Sequence, residues 1–109
     1  MTKAEAITEI TRRLIDYYRP DRIYLFGSEA RGEADPDSDL DFLVVVPDDT
    51  PEEKFRNLVR PLAGLAIAAD VIPWRKTDFD GRAAYVVASL PATVVREGRL
   101  LYDARTVAA

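Results

Sequence analysis

The amino-acid sequence predicts a small α/β domain in which helices flank a short mixed sheet of three to four strands. Apolar patterns of helical and of strand spacing alternate along the chain, and capping residues or prolines stand at most of their ends. The chain has 109 residues, 48% of them hydrophobic, which is enough for one core. We therefore expect a single domain over residues 1–109.

The first half of the chain predicts two helices and two strands. A capping box of Thr2 and Glu5 opens the first helix, which keeps apolar residues on one face and stops before Pro20. The first strand ends at Gly27, and the second, a mostly apolar run, ends at Pro47. The predicted elements are a helix over 3–18, strands over 22–26 and 40–46, and a helix over 51–63.

The second half of the chain predicts a third strand, two helices and a last strand at the sheet edge. Thr50 and Glu53 form the capping box that predicts the helix over 51–63. The third strand is expected to stop at Pro73, Thr77 to cap the next helix, and Pro91 to begin a short one. These elements are a strand over 67–72, helices from 77 to about 90 and from 91 to 98, and a strand over 99–102.

Composition excludes several kinds of chemistry. Because the sequence has no cysteine and no histidine, it has no disulfides, no thiolate or imidazole metal ligands and no serine triad of the usual type. The net charge of −4 argues against direct nucleic-acid binding, which depends on Lys and Arg. No apolar run approaches the roughly 18 residues of a membrane span, so we expect no membrane partner and a cytoplasmic location.

Three aspartates are the candidate metal ligands. Asp39 and Asp41 lie two positions apart at the start of a strand, so their side chains point to the same face. Asp70, in the next strand, stands beside them if the two strands are neighbours. Ionised carboxylates at close range repel one another, and a divalent cation such as Mg²⁺ would relieve the repulsion. The alternatives are structural: a polar strand start, and for Asp70 an ion pair with an arginine.

The residues just upstream are candidates for phosphate binding. Gly27 and Ser28 form a tight junction after a strand, where backbone N–H groups can face an anion. Arg31 either contacts phosphate or neutralises the surrounding acids. The sequence has no P-loop and no GxGxxG pattern. Trp74 and Phe79 could stack on a nucleobase, although aromatic residues after a strand more often belong to the core.

These residues together resemble a known family. Gly27-Ser28, ten further residues and Asp39-x-Asp41 resemble the signature of the DNA polymerase beta-type nucleotidyltransferase superfamily. Within it, GSEARGEADPDSDLDFLVV resembles the minimal nucleotidyltransferases, and the resemblance spans nearly the whole chain. It implies their small nucleotidyltransferase fold, a triphosphate held at Gly27 and Ser28, and Mg²⁺ held by Asp39, Asp41 and a third acid, here Asp70.

The resemblance also implies a function. We expect Mg²⁺-dependent transfer of a nucleoside monophosphate, AMP from ATP, to a hydroxyl acceptor. Minimal members are commonly the antitoxin of a toxin–antitoxin pair, with a helical HEPN ribonuclease toxin whose tyrosine they modify. Two alternatives remain: a small-molecule acceptor, as in the aminoglycoside nucleotidyltransferases, and an antitoxin that masks its toxin without chemistry.

Overall fold

A computed structural model gives the fold and describes residues 1–27, 30, 32 and 39–106. Within this part of the chain, four strands form one mixed sheet with helices on both faces, which confirms the predicted α/β class. The strands are β1 (Arg22–Phe26), β2 (Leu40–Val46), β3 (Ala69–Arg75) and β4 (Arg99–Asp103). The helices are α1 (Lys3–Tyr18), α2 (Glu53–Arg56), α3 (Lys76–Tyr85) and α4 (Leu90–Glu97), and a 3₁₀ turn spans Arg60–Leu62.

The order of the strands in the sheet is β3-β2-β1-β4. β2 runs parallel to β3 and antiparallel to β1, and β1 runs antiparallel to β4. β2 is therefore a central strand, buried on both faces. Phe42 and Val44 pack with α1 on one face, whereas Leu43 and Val45 pack with side chains of α3 and α4 on the other.

The helix predicted over 3–18 and the strands predicted over 22–26 and 40–46 are confirmed at the same boundaries. Both bonds of the capping box between Thr2 and Glu5 are present. Ile10 and Leu14 are fully buried on the apolar face of α1, against the sheet. The apolar face of α1 therefore covers one face of β2 and sets the direction in which its side chains point.

The helix predicted over 51–63 is wrong. Only α2 and the 3₁₀ turn form in this segment. Pro61 lies in what would be the interior of the helix, where it removes an N–H and disfavours helical backbone at the residue before it. Thr50 does not cap a helix either, because its hydroxyl donates to the carbonyl of Pro47 at 2.7 Å.

The third strand is shifted relative to its prediction over 67–72, since β3 begins at Ala69 and continues through Pro73 to Arg75. A proline is tolerated because β3 is an edge strand. Leu40 donates its N–H to the carbonyl of Ala68, and in this parallel register the backbone of Pro73 faces the open edge, where no donor is needed.

The helix predicted from 77 to about 90 ends early, at Tyr85, and Thr77 is not its cap. The hydroxyl and the N–H of Thr77 instead donate to Asp48. Ser89 caps the next helix by accepting from the N–H of Ala92, and Pro91 lies in its first turn as predicted. The predicted last strand is confirmed as the edge strand β4.

Arg75, the last residue of β3, ties the connection between β2 and β3 to the sheet. Its guanidinium donates to the carbonyls of Asp48 and Thr50 at 2.9 and 2.7 Å. It also pairs with Glu52 at 2.7 Å and stacks on the ring of Phe55, 4.4 Å from the centroid. One planar side chain therefore holds a connection that has little helix of its own.

Candidate active site

The parallel pairing of β2 with β3 brings two of the predicted acids together. Asp41 and Asp70 are register partners on the neighbouring strands. Neighbouring strands lie about 4.8 Å apart, so the two residues are as close as residues of different strands can be. The sequence prediction that Asp70 stands beside the pair required these strands to be neighbours, and they are.

Both acids lie on the face of the sheet that α3 and α4 cover further along. Asp41 shares its face of the sheet with Leu43 and Val45, and Asp70 shares it with Trp74. Leu43 and Val45 belong to the apolar cluster on that face, and Trp74 packs against the cluster. Asp39 precedes β2 and is exposed. We call Asp39, Asp41 and Asp70 the acid corner, because they mark the end of the sheet at which this apolar cluster stops.

The carboxylates of Asp39 and Asp70 act on that of Asp41. The pKa of Asp41 is raised above the usual aspartate range, first by partial burial and then by the negative charges of Asp70 and Asp39. Asp70 is exposed, and within residues 1–27 and 39–106 no arginine forms an ion pair with it. A cation at the acid corner would relieve the repulsion at Asp41.

The donor set fits a hard, oxygen-binding cation such as Mg²⁺. Among the residues that the structure describes, no group of three or more acids is arranged so that it could hold a metal ion. Mg²⁺ does not need one, because it usually keeps several waters and is held by one or two carboxylates together with phosphate oxygens of the substrate. The acid corner therefore suits an ion that is bound together with the substrate phosphates better than an ion held by protein ligands alone.

Gly27 lies directly against Asp41. The antiparallel register pairs Phe26 with Asp41, which places the next residue, Gly27, beside the carboxylate. Gly27 has a φ of +79°, and a Cβ atom at this position would lie 2.6 Å from Oδ2 of Asp41. The turn therefore needs glycine both for its backbone conformation and for space. Ser28 and Arg31, the other two predicted phosphate contacts, lie outside the described residues.

The two aromatic candidates for base stacking, Phe79 and Trp74, pack in or against the apolar core. Phe79 is fully buried and stacks on Tyr24 with 5.8 Å between ring centroids. Trp74 packs against the same cluster, and its Nε1 donates to Asp78 at 2.8 Å. The core interpretation of Phe79 is confirmed.

Sequence reasoning missed the close approach of Gly27 to Asp41. The signal for it was present: two consecutive strands joined by a polar loop commonly pair antiparallel, and that pairing sets the last residue of one near the first of the other. The residue that follows Phe26 then has to be small.

A family model for the nucleotidyltransferase domain matches residues 7–93. The chain belongs to the nucleotidyltransferase domain family. The match covers most of α1, all of β1, β2, α2, β3 and α3, and the first turn of α4, and so includes every residue of the acid corner. The resemblance that the glycine-serine turn and the paired aspartates suggested is confirmed at the level of the family.

Two solved structures are similar to this nucleotidyltransferase domain. One is described as the crystal structure of a toxin–antitoxin with AMP-PNP; it is 26% identical, with a TM-score of 0.63 over 88% of this chain and 72% of that one. The other is a candidate nucleotidyltransferase from Sulfolobus solfataricus, 19% identical, with a TM-score of 0.62 over 96% of this chain and 84% of that one. The second likeness confirms the fold alone. No curated protein matches the chain.

Among the described helices none has the length and apolar character needed to cross a bilayer.

Gly27→Ala should destabilise the domain more than Gly64→Ala. Both glycines have positive φ, +79° and +83°, so both substitutions meet a backbone cost of about 1–2 kcal/mol. Only at position 27 would the new Cβ also collide with a carboxylate, because nothing lies within 4 Å of a Cβ at Gly64. Urea denaturation of the two variants measures the difference.

The same comparison in an Asp41→Ala background isolates the contact. Removing the carboxylate leaves the backbone cost unchanged and eliminates the collision, so the two glycine substitutions should then cost nearly the same. Equal losses at both glycines in the wild-type background would contradict the close approach.

Asp41→Asn should raise the free energy of unfolding at pH 7. The folded-state pKa of Asp41 lies above its unfolded value, so the stability that this group contributes is complete below the unfolded pKa and is lost as the pH rises through the folded one. At neutral pH the ionised carboxylate therefore destabilises the fold, and an amide does not. Thermal melts from pH 7 down to about 3 should show the gain shrinking with acidity.

The exposed Asp49→Asn serves as the control and should change the melting temperature little at any pH. An Asp41→Asn gain that stays constant across the pH range would rule out the electrostatic explanation.

Proposed function

We propose that this nucleotidyltransferase domain transfers a nucleoside monophosphate, AMP from ATP, to a hydroxyl group of a protein, with Mg²⁺ as the required ion. One observation supports the proposal above the others: Asp41 and Asp70 are register partners on parallel strands, with Asp39 close enough to add to the pKa shift of Asp41. The family match over residues 7–93 supports the reaction class.

Asp39, Asp41 and Asp70 would hold the ion. Bound there, Mg²⁺ would offset the negative charge of the phosphates and of the departing pyrophosphate. The protein itself positions the carboxylate of Asp41. Because β2 is buried on both faces, the strand that carries Asp41 cannot shift without disturbing the core. Nucleotide transfer needs this rigidity, because the attacking oxygen and the α-phosphorus must be held in alignment.

The phosphates would lie along the turn after β1. Because Gly27 has no side chain, the backbone of this turn lies directly against Asp41 and can approach a ligand bound beside that carboxylate. We assign Ser28 and Arg31 to the triphosphate as well, from the sequence motif. Together the turn and the acid corner would hold the α-phosphate between donors on one side and a cation on the other.

Asp70 is the residue we assign to proton transfer. It is exposed and lies on an edge strand, where an acceptor can reach it. One carboxylate oxygen can contact the ion while the other accepts the proton of the attacking hydroxyl. The acceptor oxygen then bonds to the α-phosphorus, the bond to the β-phosphate oxygen breaks, and pyrophosphate leaves with the electron pair.

The acceptor we propose is a toxin protein, with this chain as the antitoxin of the pair. The similar structure at 26% identity is described as a toxin–antitoxin with AMP-PNP, which supports both a toxin partner and an adenine nucleotide. A helical HEPN ribonuclease is the toxin class that the sequence resemblance favours. We propose a cytoplasmic location for this reaction, as the sequence analysis expects.

Replacing both Asp39 and Asp41 by Asn should abolish nucleotide transfer while the domain stays folded. The amides keep the shape of the side chains and remove the charge that holds the ion. Transfer is measured with ATP labelled on the α-phosphate, Mg²⁺ and a candidate toxin, followed by intact mass of the toxin. Thermal melts should show equal or higher stability for the variant.

Asp49→Asn, which removes an exposed carboxylate in the turn after β2, should transfer at the wild-type rate. Undiminished transfer by the double variant would refute the role of the acid corner. Toxin neutralisation that survives the double substitution would instead favour an antitoxin that acts by binding alone.

A further inference from the structure

β3 is an edge strand of the described sheet, so one side of its backbone has no neighbouring strand. Leu40 donates its N–H to the carbonyl of Ala68, and in a parallel ladder every second residue bonds to the same neighbour. The backbone groups of Ala69, Val71 and Pro73 therefore point away from β2, toward the open edge. Within the described part of the chain no group bonds to the outward N–H and C=O groups of Ala69 and Val71.

Pro73 divides this open edge into two halves. It has no N–H to donate, and a proline on an edge strand opposes pairing with a further strand. The half before Pro73, which contains the N–H and C=O groups of Ala69 and Val71, lacks this protection. The side chain of Val71 packs in the core, so this residue offers its backbone alone at the edge.

The other edge of the sheet is less suited to a further strand. The register of β4 shifts where it passes Ile23 and Tyr24, and such an irregularity disturbs the regular spacing of backbone groups. The carbonyl of Asp103 already accepts bonds from the N–H and the hydroxyl of Thr106. In the described sheet, the half of β3 before Pro73 is therefore the part at which a strand can be added most readily.

This half of β3 contains Asp70. Because Asp41 and Asp70 are register partners, their side chains lie in one row on one face of the sheet. A strand added beside β3 would extend the row by one residue, which would lie on the same face and about 4.8 Å from Asp70. Asp70 is exposed. The added residue would therefore lie next to the carboxylate that we assign to proton transfer.

We propose that an extended segment of the acceptor protein pairs with the backbone of Ala69 and Val71, and that its residue beside Asp70 carries the hydroxyl that receives the nucleotide. This inference rests on the proposed function. Main-chain hydrogen bonds supply the affinity, and the row selects the hydroxyl. The hydroxyl oxygen bonds to the α-phosphorus, its proton passes to Asp70, and pyrophosphate leaves with the electron pair of the broken bond.

A second copy of this chain is a poor occupant of the same edge. If two β3 strands paired antiparallel through Ala69 and Val71, their two Asp70 carboxylates would lie opposite or diagonal to each other. Like charges in such positions destabilise a sheet. A segment without an acidic residue near its hydroxyl avoids this repulsion, so the acceptor segment should be uncharged or basic around the modified residue.

The first test compares Ala69→Pro with Ala69→Val. Proline removes the N–H that faces the open edge and spares the ladder to β2, to which Ala69 does not bond. Valine is close to proline in size and keeps the N–H. Transfer of labelled AMP to the candidate toxin should fall about tenfold in the proline variant, the effect of one lost hydrogen bond, and much less in the valine variant. Thermal melts check that both variants fold.

The loss should appear in the KM for the toxin and not in kcat, because the substitution removes a docking contact and leaves the acid corner unchanged. A lower kcat with an unchanged KM would place the effect in the acid corner and overturn the inference. Transfer by Ala69→Pro at the wild-type rate would overturn it as well.

The second test separates docking from chemistry. Amide hydrogen exchange of the full chain is measured without ATP, in the absence and in the presence of the candidate toxin. The amides of Ala69 and Val71 should exchange more slowly with the toxin, and those of β4 should not change. Transfer to the toxin without protection at β3 overturns this docking and leaves the transferase function standing. Protection at β3 without any transfer refutes the proposed function instead.

Analytical ultracentrifugation tests the second copy as the occupant. Self-association of the chain, whatever its extent, should be the same for Ala69→Pro and Ala69→Val. A dimer that only the proline variant loses would show that a second copy pairs with this edge, and it would overturn the inference.

Discussion

The parallel pairing of β2 with β3 is the constraint on which the rest of the structure depends. It makes Asp41 and Asp70, which are distant in sequence, register partners at one end of the sheet. Parallel neighbours require a crossover connection, and here Arg75 fastens that connection through two carbonyls and Glu52. A slip of one residue in β2 would turn its apolar side chains and Asp41 to the opposite faces, so burial on both faces protects the position of the carboxylate.

The acid corner is a place where folding and chemistry have opposite requirements. Partial burial and two neighbouring negative charges make ionised Asp41 unfavourable in the folded chain, and Gly27 can approach it only because it lacks a side chain. The well-packed core around Phe42, Ile10 and Leu14 offsets the loss of stability that ionised Asp41 causes. The same arrangement that costs stability without a cation would strengthen the binding of one.

The sequence predicted most of the elements whose boundaries depend on local chemistry, and it did not predict the features that depend on strand neighbours. The capping box at Thr2 and the prolines after α1 and β2 predicted those ends correctly. Pro61, a local signal, breaks the helix predicted over 51–63, whereas Pro73 does not end β3 because that strand lies at the edge of the sheet. In the site, the family membership that the motif suggested is shown, whereas a common face for Asp39 and Asp41 stays a prediction, because Asp39 precedes β2. The neighbourhood of Asp70 and the contact of Gly27 with Asp41 depend on strand pairing, which spacing alone does not give.

The most direct test of the central claim is titration of the isotope-labelled protein with Mn²⁺, a paramagnetic substitute for Mg²⁺, followed by NMR. If the acid corner binds the cation, the amide signals of Gly27, Asp41 and Asp70 should broaden first, and excess Mg²⁺ should restore them. Broadening that begins at other acidic residues, such as Asp48 and Asp49 at the opposite end of β2, or that Mg²⁺ does not reverse, would contradict the account.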